Sequence, residues 1–87
     1  MKIKENFMLR KVADTFVVVP IGDAVASFNG MINLNEAGAF LWQQMEKDTT
    51  PEDVVKAMLE QYDVEEELAK SDVDKFIAEL RAADLLE

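Results

Sequence analysis

The stretch FNGMINLNEAGAFLW, residues Phe28 to Trp42, changes its backbone preference near the middle. The part up to Leu34 is typical of a short strand. From there on, the apolar residues follow the i, i+3, i+4, i+8 spacing of a helix face: Ala37, Phe40, Leu41 and Met45. Asn35 is a favoured N-cap residue, and Glu36 is well placed in a first helical turn. The stretch therefore predicts a strand-to-helix corner at Asn35.

Two further strands are predicted upstream of this corner. The first is a short run of mixed composition, and the second is rich in β-branched and aromatic residues, as strands prefer. The three predicted strands are Asn6 to Val12, Phe16 to Ile21 and Asn29 to Leu34. We expect a turn at Ala13 to Thr15 and a loop at Gly22 to Ser27. The pair Asn29-Gly30 indicates a bulge or bend at the start of the third strand.

Three helices are predicted after the third strand. The first begins behind Asn35 and should end near Glu46 to Asp48. The second begins at Thr50, where Pro51 suits the first helical position and Asp53 completes a T-x-x-D capping box. Its predicted buried face is Val54, Val55, Met58, Leu59 and Tyr62.

The third helix should run from about Glu65 to Ala83, with acidic residues at its N-terminal end, where the helix dipole favours them. Its predicted apolar stripe is Leu68, Ala69, Val73, Phe76, Ile77 and Leu80. A capping-box pattern at Ser71 to Asp74 raises the alternative of a break in the middle. We favour one continuous helix, because the apolar spacing continues through Ser71 without a change of phase.

The element order βββααα predicts an α+β fold, with a three-stranded antiparallel sheet followed by a three-helix bundle. Winged-helix domains combine similar elements in a different chain order. The length of 87 residues fits a single domain over residues 1–87. In the simplest strand order the third strand lies at an edge of the sheet, where its main-chain groups could accept a partner strand.

The composition argues against catalysis and against metal or cofactor chemistry. The chain has no histidine and no cysteine, which excludes imidazole and thiolate sites. Its three glycines form no phosphate-binding motif, and its carboxylates fall mostly on polar helix faces. We therefore expect no enzymatic activity and no cofactor. No apolar run approaches the roughly 18 residues of a membrane span, and the N-terminus does not resemble a signal peptide, so we expect a cytoplasmic protein.

The charge of the chain is acidic and unevenly distributed, with a formal net charge of −9. Residues 1–34 carry four basic and three acidic residues, a net of +1, whereas residues 35–87 carry five basic and fifteen acidic residues, a net of −10. The acidic half would repel nucleic acid and anionic lipid, so we expect neither as a partner. Two explanations of this acidic charge stay open: it keeps the surface soluble, or it attracts a basic partner.

Three segments of the chain resemble the PqqD family, named for the small chaperone-like protein of pyrroloquinoline quinone biosynthesis and related to the RiPP recognition elements. They are FNGMINLNEAGAFLW, TTPEDVVKAMLEQYDV and DVDKFIAELRAADLL, in that order. The most specific part is an L-N-x-x-G/A-x-x-x-W block, here Leu34, Asn35, Gly38 and Trp42. The chain departs from the common pattern at Asp84, where many relatives have a glycine, so this helix has to end without a glycine's ease at positive φ.

The resemblance implies a peptide-binding module without catalytic activity. In that family the leader segment of a ribosomally made precursor peptide binds as an extra antiparallel strand, in the cleft between the third strand and the third helix. The module presents the precursor to a modifying enzyme, often a radical SAM protein. Carried over by position, the strand edge of the peptide-binding site is Met31, Ile32, Asn33 and Leu34. On the third helix, one flank with i+3 and i+4 spacing is nominated for the groove: Asp72, Lys75, Phe76 and Glu79.

Three questions stay open at the level of sequence. Met31 and Asn33 share one face of the third strand, Ile32 and Leu34 share the other, and either pair could cover the bundle. Phe76 fits the core as well as the groove. A structural or regulatory subunit that docks on a protein surface without threading a peptide would explain the same fold. A proline at Ile32 would distinguish this alternative, provided that the Ile32 N–H faces the open edge.

Overall fold

A computed structural model describes residues 1–27 and 32–87 of the chain. The elements of these residues, in chain order, are β1 (Phe7–Val12), β2 (Thr15–Pro20), α1 (Ala24–Ser27), β3 (Ile32–Leu34), α2 (Glu36–Gln44), α3 (Pro51–Gln61) and α4 (Glu66–Ala82). The strands form an antiparallel sheet in the order β1-β2-β3. The predicted sheet followed by three helices is confirmed, and so is the position of the third strand at an edge.

The segment between β2 and β3 differs from the sequence-based prediction. The sequence predicts a loop over Gly22 to Ser27, but the one-turn helix α1 occupies the last four of these six residues, so this prediction was wrong. The Ala24 N–H donates to the Ile21 carbonyl and the Val25 N–H to the Gly22 carbonyl, both at 3.2 Å. A single turn of this kind is too short to leave a periodic signal in the sequence. The predicted bulge at Asn29-Gly30 lies outside the described residues.

The three long helices follow the predicted boundaries closely. The Thr50 hydroxyl accepts a hydrogen bond from the Asp53 N–H at 3.1 Å, as the capping box predicts. Helix α4 continues through Ser71 without a break. Helix α2 ends at Gln44, two residues before the predicted end, where the Met45 N–H bonds to the carbonyls of Leu41 and Trp42 in a tightened last turn. Within the described ranges, no helix is both long enough and apolar enough to cross a membrane.

The apolar stripe of α4 is predicted correctly except at its first position. The residues Ala69, Val73, Phe76, Ile77 and Leu80 are buried. Leu68 is 53% exposed, so its assignment to the core was wrong. At about 100° per residue, Leu68 lies roughly 120° around the helix from the middle of the buried stripe, on the flank of Lys75 and Glu79.

One hydrophobic core joins the sheet to the helices. Val18 of the central strand, Trp42 of α2, Val54 of α3 and Val73 of α4 are all at most 1% exposed. The indole N–H of Trp42 has no hydrogen-bond partner in the described part of the chain. Burying such a donor costs about 1–3 kcal/mol, which the packing of the ring has to exceed. Around this core, Phe40 and Tyr62 meet edge to face, with their ring centroids 5.5 Å apart.

The N-terminal segment before β1 closes the bundle at two places. The Ile3 N–H donates to the Met45 carbonyl at 2.9 Å, and the buried Ile3 also forms an isolated antiparallel bridge with Leu86. The Lys4 N–H donates to the Leu85 carbonyl at 2.9 Å. The segment therefore connects the end of α2 to the residues that follow α4.

The C-terminal end of α4 is a Schellman turn built around Asp84. The Leu85 N–H donates to the Leu80 carbonyl at 2.9 Å, and the Asp84 N–H donates to the Arg81 carbonyl at 3.1 Å. Asp84 has a φ of 58°, so it occupies the left-handed region that the missing glycine would favour. Its carboxylate lies 3.1 Å from the Lys4 ammonium, on the protein surface.

We predict that Asp84→Gly raises the free energy of unfolding by about 1 kcal/mol, because glycine adopts a positive φ without the steric cost of a Cβ atom. Asp84→Ala is the matched control, since it also removes the ion pair with Lys4 but keeps a Cβ. It should be less stable than the glycine variant by about 1–2 kcal/mol. Urea unfolding followed by the fluorescence of Trp42, the single tryptophan, measures both. Equal stabilities of the two variants would contradict the explanation.

Candidate functional site

The L-N-x-x-G-x-x-x-W block forms the corner between β3 and α2. Leu34 ends the strand and packs against the core. The Asn35 side chain caps the helix by accepting the Gly38 N–H at 2.7 Å. A Cβ atom on Gly38 would lie 3.2 Å from the Asn35 Oδ1 and 3.4 Å from the Leu34 Cβ, so glycine permits this close approach. Trp42 is fully buried two turns later and anchors the helix.

A cleft of about 310 Å³ opens beside this corner. Its walls come from the end of β3, the first turns of α2 and one flank of α4, with Met58 of α3 contributing from below. The lining residues are Asn33, Leu34, Asn35, Ala37, Gly38, Leu41, Met58, Asp72, Lys75, Phe76 and Glu79.

Six of the eight candidate residues from the sequence line this one cleft: Asn33, Leu34, Asp72, Lys75, Phe76 and Glu79. Ile32 does not line it, because its side chain is half-buried and packs against the core. Met31 lies outside the described residues. The structure thus brings the strand and helix parts of the predicted site together, and their role in peptide binding stays a prediction.

The cleft has an apolar floor and a charged rim. The floor consists of buried core residues that also line the cleft: Leu41, Met58 and Phe76. Phe76 therefore belongs to the core and to the groove at the same time. Lys75 and Glu79 are exposed on the rim, and Asp72 is partly exposed beside them. The ion pairs formed by the described residues include none of these three side chains. Their charges are therefore available to a ligand.

Sequence reasoning missed five residues of the cleft: Asn35, Ala37, Gly38, Leu41 and Met58. The sequence assigned Asn35 to helix capping and Leu41 and Met58 to the core, which is correct but incomplete. The sequence did contain a signal for part of this lining, namely the small residues Ala37 and Gly38 in a first helical turn next to an edge strand. Small side chains leave space for a cleft on the surface of a helix. Met58 carried no such signal, since only the packing of α3 against α2 and α4 places it there.

The hydrogen-bond pattern of the sheet determines which main-chain groups face the open edge. The Ile21 N–H donates to the Asn6 carbonyl at 2.9 Å, just beyond the ends of β1 and β2. Bonded and non-bonded residue pairs alternate along an antiparallel ladder. The odd-numbered residues of β2 therefore bond to β1, and the even-numbered residues bond to β3. Pro20, which has no N–H, stands at one of the positions that need no bond to β1.

Asn33 is the described residue of β3 whose main chain faces outward. Leu34 and Ile32 stand opposite the even-numbered residues Phe16 and Val18, so their N–H and C=O groups bond to β2. Asn33 stands opposite Val17, and its N–H and C=O groups point away from the sheet. A proline at Ile32 would break the existing ladder instead of blocking the open edge, so the informative position is Asn33.

An open sheet edge beside a side-chain cleft is the geometry of proteins that take up an extended peptide as an additional strand. The sequence profile of the family Coenzyme PQQ synthesis protein D (PqqD) matches residues 15–86. The chain belongs to the PqqD family, and the resemblance noted in the sequence is confirmed.

Two solved structures share this fold. One is described as TbiB1 in complex with the TbiA(beta) leader peptide, with a TM-score of 0.79 and 24% identity over 100% of this chain and 95% of that one. The other is lasso peptide synthetase B1 complexed with the leader peptide, with a TM-score of 0.77 and 17% identity over 99% and 95% of the two chains. No curated protein matches the chain.

We predict that Asn35→Ala lowers the free energy of unfolding by about 1 kcal/mol, because it removes the cap that satisfies the Gly38 N–H. Asn33→Ala is the matched control: the same substitution two residues earlier, at an exposed side chain, should change stability by less than about 0.5 kcal/mol. Chemical denaturation of both variants measures the difference. Equal effects would show that the cap does not hold the corner.

Proposed function

We propose that this chain is a non-catalytic binding module for the leader segment of a ribosomally made precursor peptide. The leader adds as an antiparallel strand to β3 and fills the cleft beside α4. The bound precursor is then presented to a modifying enzyme, such as a radical SAM protein. The observation that carries the proposal is the outward-facing main chain of Asn33 beside the apolar floor of the cleft.

Membership of the PqqD family supports this function. The leader peptides named with the two structural neighbours support it further, because both neighbours share the fold over nearly the whole chain. The cleft itself adds an independent argument. It combines main-chain hydrogen bonding with side-chain pockets, and strand addition uses the first for affinity and the second for specificity.

The sheet has a second edge on β1, and two features make it the weaker acceptor. Arg10 and Lys11 carry charge on β1, and charged residues on an edge strand oppose pairing with another chain. In addition, none of the described residues that line the cleft belongs to β1. A strand added to β1 would therefore gain main-chain hydrogen bonds without a pocket for its side chains.

The side-chain contacts in the cleft contribute more to the choice of peptide than the main-chain hydrogen bonds to β3. The described part of β3 offers one outward-facing residue, and each hydrogen bond it forms contributes about 0.5–1.5 kcal/mol. Burial of one large apolar side chain over Leu41, Met58 and Phe76 contributes about 1.5–3 kcal/mol. After the costs of association, an interface of this kind has roughly micromolar affinity, about −8 kcal/mol.

The decisive experiment uses leader peptides encoded by short open reading frames beside this gene, with fluorescence anisotropy as the measure of affinity. Asn33→Pro removes one outward N–H and leaves the ladder to β2 intact, so we predict that it weakens binding about tenfold or more. Asn33→Ala, which keeps that N–H, should bind much more tightly than the proline variant.

Lys11→Pro is the control for the other edge, because Lys11 belongs to a pair without hydrogen bonds to β2. It should leave the affinity unchanged, and Trp42 fluorescence verifies that each variant is folded. Titration of isotope-labelled protein adds a test that needs no mutation. Saturating peptide that leaves the amide signals of Ile32 to Leu34 unshifted would overturn the proposed site. Full binding by a folded Asn33→Pro variant would indicate surface docking without strand addition.

A further inference from the structure

Leu68 is a large apolar side chain exposed next to the cleft. It is 53% exposed, although the other large apolar positions along α4 are buried. On a helical projection it falls between Lys75 and Glu79 and close to Asp72, three residues that line the cleft. The described lining of the cleft on α4 begins at Asp72, so Leu68 lies one helical turn beyond its end.

The spacing along this flank of α4 matches the spacing of a strand. Leu68, Asp72 and Phe76 follow one another at i, i+4 and i+8, which corresponds to about 6 Å per step. In an extended peptide, side chains on one face follow at i, i+2 and i+4, about 6.6 Å apart. A strand that runs along this flank of α4 can therefore place three successive inward side chains opposite Phe76, Asp72 and Leu68.

The charges on the rim of the cleft favour one charge type for the middle inward side chain of the peptide, the one opposite Asp72. Asp72 and Glu79 contribute two carboxylates against the single ammonium group of Lys75, and none of them is paired within the described ranges. Residues 35–87, which supply most of the cleft, carry a net charge of −10. This field favours a basic group over an acidic one at the position opposite Asp72.

We propose that the cleft selects a peptide strand whose inward side chains are apolar, basic and apolar at positions i, i+2 and i+4. The first side chain contacts Phe76, the second pairs with Asp72, and the third covers Leu68. This inference rests on the proposed function, and it adds the sequence pattern of the ligand and a specificity role for Leu68.

The test is a selection from a phage-displayed library of random twelve-residue peptides against the wild-type protein. Enriched peptides should share the apolar, basic, apolar pattern with alternate spacing. A synthetic peptide of the enriched sequence then serves as the probe for fluorescence anisotropy. A second probe carries glutamate in place of its basic residue, and its affinity should be about tenfold lower.

Two substitutions test the two new contacts, and each has a control on the same protein. Leu68→Ser should weaken the first probe about tenfold, whereas Val12→Ser, at a side chain 57% exposed on β1, should have no effect. Asp72→Lys should reverse the preference between the two probes. Asp74→Lys makes the same charge change on the opposite flank of α4, where Asp74 lines a different groove, and should not reverse it.

The outcomes separate this inference from the proposed function. Loss of binding in Asn33→Pro with unchanged affinities in Leu68→Ser and Asp72→Lys overturns the ligand pattern and leaves strand addition in place. Equal binding by folded Asn33→Pro and Asn33→Ala overturns strand addition itself. Enriched peptides without a basic residue also overturn the pattern, and a selection that enriches no peptide counts against both proposals.

Discussion

The hydrogen bond from the Gly38 N–H to the Asn35 side chain, 2.7 Å long, is the constraint from which the geometry of the candidate site follows. It ends the edge strand and starts α2 within one residue, so the helix leaves the sheet at a sharp corner. Because Gly38 has no Cβ atom, the first turn of α2 can lie against Leu34. The opening that remains beside this turn is closed on its far side by α4. The result is an open strand edge next to a cleft.

The floor of the cleft and the core of the protein share the same residues. Leu41, Met58 and Phe76 come from three different helices and are held by packing in the core. A ligand that covers them meets a surface whose side chains are already ordered, so little conformational entropy is lost on the protein side. The rim differs, because Lys75 and Glu79 are exposed and can adapt to the ligand. The candidate cleft therefore combines an ordered apolar floor with an adaptable charged rim.

Helix α4, which supplies the rim, is fixed at its C-terminal end by contacts far away in sequence. Leu85 is fully buried after the Schellman turn, and its carbonyl accepts the Lys4 N–H. Ile3 in turn bonds to the carbonyl of Met45 at the end of α2. Two of the three helices that form the cleft are therefore linked by the N-terminal segment.

The sequence by itself determined the three strands and the three long helices. Local spacing was enough to identify the strand and helix patterns and the flank of α4 that carries Asp72, Lys75, Phe76 and Glu79. Local hydrogen bonding was enough to identify the helix caps at Asn35 and Thr50. Family resemblance then related that flank to the third strand. The one-turn α1 was missed because so short an element leaves no period. Leu68 was assigned to the core because it is apolar, although its angle on the helix, roughly 120° from the middle of the buried stripe, places it outside that stripe.

Only the tertiary structure decided which groups face one another. Hydrogen-bonded and non-bonded residue pairs alternate along the sheet, and the pairing of β1 with β2 decides which residues of β2 bond to β3. As a result, the main chain of Asn33 faces the open edge and that of Ile32 faces β2. The packing of α3 against α2 and α4 brings Met58 to the floor of the cleft, and the pairing of Ile3 with Leu86 joins the N-terminal segment to the residues after α4. Each of these depends on contacts between residues distant in sequence, and spacing along the chain carries no information about such contacts.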